Sequence, residues 1–93
     1  MTVARLPGPL PARVEVRLYA GLNDHLPAAD RQRPFHRTLE RDTTLAELAA
    51  ALGIAAGEVG LALVNGTPAG LDAELRDGDR VALYPPLVTL AGP

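Results

Sequence analysis

A chain of 93 residues with formal net charge −2 and no cysteine has material for one small domain, and it excludes disulfides, thiolate catalysis and cysteine metal sites. All nine basic residues are arginine, so no lysine is available for a Schiff base, and two histidines, His25 and His36, cannot close a zinc site alone. The charge gives no bulk attraction to nucleic acid or to an anionic membrane. The core must be aliphatic, because Phe35, Tyr19 and Tyr84 are the whole aromatic inventory.

The opening "MTVARLPGPLPAR" is interrupted by Pro7, Gly8 and Pro9, which breaks any apolar run a signal peptide would need. Residues 1–12 are therefore expected to be a flexible leader. No stretch approaches the roughly 18 apolar residues of a membrane span, so no membrane partner is expected and the protein is read as cytoplasmic. "RVEVRLYA" alternates, with Val14, Val16 and Leu18 on one side and Glu15, Arg17 and Tyr19 on the other, the pattern of a half-buried strand. "GLNDHLPAADRQRP" is polar and carries Pro27 and Pro34, which predicts an irregular loop. "FHRTLE" then sets Phe35, Arg37 and Leu39 against His36, Thr38 and Glu40, a second strand.

"DTTLAELAAALG" is the strongest element. Thr44 and Glu47 are spaced as a capping box, each side chain meeting a free backbone N–H at a helix start. Leu45, Leu48, Ala49 and Leu52 form one apolar stripe, and Gly53 stands where a helix ends in a left-handed residue. "LALVN" predicts a third strand, Asn65-Gly66 a tight hairpin turn, and "TPAGL" a short return strand confined to an edge by Pro68. "DAELRDGD" is a loop turning at Asp77-Gly78, with its acids expected to stay solvated. "RVALYP" is the last strand, and Pro85-Pro86 stops its pairing.

One helix with one apolar stripe covers one face of one sheet. The order strand, strand, helix, strand, short strand, strand predicts an α+β fold, a β-grasp (ubiquitin-like) roll. In it a mixed sheet of four to five strands has one main helix on one face, and the last strand lies parallel beside the first. The domain is expected over residues 13–86, followed by a C-terminal tail over 87–93.

Catalytic constellations are absent from the pattern. Neither histidine has a serine or cysteine motif to serve as a general base, no ligand run for a metal is present, and no cofactor is expected. Arg31 and Arg33 lie in a loop whose acids interleave with its arginines, so direct binding of nucleic acid is not expected; the loop reads as a contact surface or as plain solvated chain. On the outer sheet face, adjacent first and last strands would bring Tyr19 and Tyr84 together beside Arg17. These residue types anchor protein interfaces, and isolated apolar residues on a sheet face are also ordinary; both readings stand.

"VRLYAGL", "TTLAELAAALG", "LVNG" and "LRDGDRVALYPP" together resemble the prokaryotic ubiquitin-like sulfur carriers, the thiamine sulfur carrier and the small subunit of molybdopterin synthase. A nearer resemblance is to the ubiquitin-like domain that precedes a PIN-like ribonuclease in the Mut-seven C-terminal family. It is carried by "LNDHLPAADRQRPFHR", Glu58-Val59, "VNG" and "DGDRVALYP" in that order. The carrier resemblance implies a Gly-Gly end, adenylated by an ATP-dependent activating enzyme and converted to a thiocarboxylate. Ala91, Gly92 and Pro93 depart from that end, because Pro93 fixes φ and sets a ring beside the carboxylate while Ala91 adds a methyl. The ribonuclease-family resemblance implies an interaction domain without nuclease residues of its own.

The expectation is a non-catalytic ubiquitin-like interaction module, not an enzyme, with a protein partner that the resemblance places among RNA-processing enzymes or nucleases. The alternative is a sulfur carrier or protein modifier acting through a processed C-terminus.

Overall fold

The structure is a computed structural model and describes residues 10–26, 31 and 33–86. Its strands are β1 (Ala12–Leu18), β2 (Phe35–Leu39), β3 (Leu61–Val64), β4 (Thr67–Pro68) and β5 (Arg80–Tyr84), and its helix is α1 (Leu45–Ala51). The strands form one sheet in the order β2-β1-β5-β3-β4. β1 pairs antiparallel with β2 and parallel with β5, and β5 and β4 flank β3 antiparallel. This is the expected β-grasp arrangement.

Alternation along β1 decides which face is covered. Val14 and Val16 are fully buried, as are Val81, opposite Val16, and Leu83, opposite Leu18, on β5, and Leu45, Leu48 and Ala49 of α1 close over them. Burying such aliphatic side chains contributes about 1.5–3 kcal/mol each before entropy is counted. Ile54, just past the helix, is also sealed in.

α1 begins as its sequence dictates. Thr44 Oγ1 accepts from the Glu47 N–H at 3.2 Å, and Glu47 Oε1 accepts from the Thr44 N–H at 2.9 Å. The first helical N–H groups need outside acceptors. Leu45 and Ala46 find them in the carbonyls of Ala73 and Leu71, each at 2.9 Å. The segment before β5 thus docks on the helix start and buries Leu75, which reading it as a bare loop did not anticipate. Gly53 takes φ +86° to end the helix, and Asn65 and Gly66 take φ 54° and 83° in the hairpin, both as expected.

Two expectations need correction. The stretch after β1 is not wholly irregular: Ala20–His25 forms a 3-10 helix that buries Leu22 and Asn23. Asn23 Nδ2 donates to the carbonyls of Leu18 at 3.0 Å and Ala20 at 3.1 Å, which ends β1 at Leu18 and holds Ala20 at φ 51°. The acids of the "DGD" turn are also engaged. Asp77 Oδ1 accepts from the Arg13 N–H at 2.8 Å, and Asp79 accepts from the Arg76 N–H at 2.8 Å and Asn65 Nδ2 at 2.9 Å. Backbone donors left free at strand ends and in turns take a nearby carboxylate as partner.

Candidate functional site: the outer sheet face

The face of the sheet turned away from α1 is built by register. Arg17 lies opposite Ala82 in the parallel β1–β5 pair, and Leu61 and Leu63 of β3 lie opposite Tyr84 and Ala82. One step beyond β1, the Tyr19 N–H donates to the Leu83 carbonyl at 3.1 Å, which sets Tyr19 beside Tyr84. The two rings stack with centroids 4.3 Å apart and planes 4° from parallel. Both side chains remain partly open to solvent.

Arg17 extends along this face. Its Nε donates to Glu15 Oε2 at 3.2 Å, and Glu15 followed by Tyr19 holds the guanidinium pKa above its ordinary value. The neighbouring Tyr19 phenol raises the Tyr84 phenol above its usual range, and partial desolvation adds to the rise. Arg17, Leu18, Tyr19, Arg33 and Pro34 line a cleft of about 100 Å³ beside the stack. On the other side of the rings, Leu63, Arg80, Ala82 and Glu15 border a shallow hollow of about 200 Å³. A more apolar groove of about 380 Å³ continues from Tyr84 along Gly60, Leu61, Pro85 and Pro86.

The structure therefore brings Arg17, Tyr19, Tyr84 and Arg33 together. Arg31 does not line the cleft; its Nε donates to the Leu26 carbonyl at 2.9 Å. Ala91, Gly92 and Pro93 lie outside the described residues. Leu61, 44% exposed, and Leu63 extend the apolar end and were missed, although the alternation of "LALV" against its hairpin partner carried the signal. His36 lies opposite Glu15 at the charged end of the face, whereas His25 hydrogen-bonds Glu58 Oε2 at 3.0 Å elsewhere. Among the described residues, no group of three or more histidines and acids is placed to hold a metal.

Comparison with known proteins gives the fold its relatives. The crystal structure of small archaeal modifier protein 1 of Haloferax volcanii is similar at TM-score 0.62 and 25% identity, over 82% of this chain and 99% of that one. A second crystal structure, of SAMP1 from Haloferax volcanii, matches at TM-score 0.59 and 25% identity, over 88% of this chain and 100% of the other. The solution structure of the Haloferax volcanii HVO 2177 protein shares the fold at TM-score 0.65 and 21% identity, over 87% of each chain. No curated protein matches. Residues 11–90 match the Mut7-C ubiquitin family, and with most of its length inside that match the chain belongs to it.

Proposed function

We propose that this domain is a non-catalytic interaction module that holds a protein partner on its outer sheet face. The observation that carries this reading is the half-exposed Tyr19–Tyr84 stack. It is continuous with exposed Leu61 and flanked by Arg17, so that large aromatic area and a polar rim share one surface. Two tyrosines already stacked and backed by sheet give up little side-chain freedom on binding. The partner is an RNA-processing enzyme or nuclease, a reading supported by the resemblance to domains that precede a PIN-like ribonuclease. We place the protein in the cytoplasm on the same reading. No helix among the described residues is long and apolar enough to cross a membrane.

The test is recovery of the partner on tagged protein expressed in its own host, with wild type and Tyr84→Ala compared and folding checked by circular dichroism. A partner held by wild type and lost by the folded variant supports the reading; a partner retained by the variant removes the sheet face from it.

A second reading, a protein modifier or sulfur carrier acting through a processed C-terminus, is supported by the likeness to the two modifier crystal structures, each covered almost end to end. It predicts that ATP and an activating enzyme modify the C-terminal carboxylate. Intact mass of protein from its own host reads this directly: a thiocarboxylate or a trimmed end supports the carrier, and an unmodified full-length mass opposes it.

A further inference from the structure

We propose that the cleft between Arg17, Tyr19 and Arg33 receives a side-chain carboxylate, so that the partner presents an acidic residue next to an apolar one. This rests on the outer face being the contact surface, and it adds the chemistry of what is contacted.

The cleft holds about 100 Å³, well below the roughly 300–1,000 Å³ of pockets that enclose cofactors and drug-sized ligands. A single small group fits it. The cleft is lined by Arg17, Tyr19, Arg33 and Pro34, with Leu18, whose side chain is buried in the core. Arg17 is oriented by Glu15 through Nε, and its side chain is still 52% exposed. Arg33 is exposed and makes no ion pair with any described residue. Planar forks of this kind bind carboxylates with paired N–H donors.

Charge around the stack is opposite in sign to that of the chain. Arg17, Arg33 and Arg80 border the two concavities that flank the rings, against Glu15 alone, a local excess of two positive charges on a chain of net −2. The apolar neighbour of the incoming acid has its own place on Tyr84, Leu61 and Pro86.

A polynucleotide fits less well. The rings already cover one face of each other, which closes the gap between them to an inserted base. Farther along the same face, Asp77, Asp79 and Glu15 share a hollow with Arg13 and Arg80, and acids there oppose a phosphate backbone laid across the sheet.

Two short synthetic peptides test the cleft, identical except that one carries Glu and the other Gln between two leucines. Both are titrated at low salt into the isotope-labelled domain while the tyrosine ring and arginine Nε resonances are followed. The Glu peptide is expected to bind about tenfold more tightly, in the range of one charge-assisted hydrogen bond. Arg33→Gln should erase that preference. Arg37→Gln should keep it, since Arg37 lies over the Phe35 ring, 4.6 Å from its centroid, on the helix side of the sheet.

Equal binding of the two peptides at the tyrosines overturns the carboxylate cleft while leaving the outer face as a contact surface. A Glu preference that survives Arg33→Gln also overturns it, as does failure of both peptides to move the tyrosine resonances. Tighter binding of an oligouridylate at the same resonances replaces the acidic peptide with nucleic acid.

Discussion

Gly60 lies against the backbone of Pro86. A methyl group on Gly60 would stand 2.4 Å from the Pro86 Cα, 2.6 Å from its nitrogen and 2.7 Å from the Pro85 carbonyl oxygen. The Gly60 N–H also donates to the Tyr84 carbonyl at 2.7 Å, so the end of β5 and the chain leaving it are fixed against this residue. The direction in which the chain leaves the sheet, beside Tyr84, is thus set by the absence of one carbon atom.

Gly60→Ala is expected to destabilise the domain by about 1–3 kcal/mol, because backbone atoms cannot swing aside as a side chain can. Gly57→Ala, where no atom would lie within 4 Å, is the control and should change stability by less than about 0.5 kcal/mol. Urea denaturation compares them; equal midpoints would show that the end of β5 yields freely.

The two phenols report on their own contact. With no tryptophan and two tyrosines in the chain, ultraviolet difference absorbance follows them alone. Tyr84 is expected to ionise above the ordinary phenol range, and Tyr19→Phe should bring it back down. The raised folded value stabilises the fold fully below the unfolded phenol range, and that contribution is lost as pH rises through the folded value. An unchanged midpoint in Tyr19→Phe would separate the hydroxyls.

Glu58 should give the acid side of the profile. Its carboxylate accepts from the Ala55 N–H at 2.8 Å and meets His25 Nε2 at 3.0 Å; the backbone bond, then the histidine, hold its pKa below the ordinary glutamate value. A lowered folded value stabilises the fold above the unfolded glutamate range, and that contribution is lost as pH falls through the folded value. Glu58→Gln should therefore flatten the acid limb of stability against pH, read as thermal midpoints over a pH series. An identical acid limb in the variant would remove Glu58 from the balance.

Among the described residues Asn23 is the buried polar side chain of the core, 2% exposed, and its amide bonds the carbonyls that close β1. Asn23→Ala leaves those carbonyls without this donor and is expected to cost about 1–3 kcal/mol. Amide hydrogen exchange should rise first in the 3-10 helix Ala20–His25. A loss below about 0.5 kcal/mol would mean that water replaces the amide at no cost.

Local chemistry specifies several elements directly from the order of residues. The Thr44–Glu47 box, the apolar stripe of α1, the Asn65-Gly66 turn and the alternation of β1 depend on neighbours three or four positions away at most, and each carries its physical cause in its spacing. With a single helix to cover a single sheet, those elements left few topologies, and the β-grasp order followed. Tertiary structure alone decided where long-range partners fall. The docking of the Leu71–Leu75 stretch on the helix start, the acceptance of the Arg13 N–H by Asp77 and the bond from Asn65 Nδ2 to Asp79 all satisfy groups distant in the chain. At the candidate site, alternation placed Tyr19 and Tyr84 on one face, but only the parallel β1–β5 register stacked their rings. Arg33, and not Arg31, lies at their edge, and a polar stretch has no periodicity from which that difference can be read.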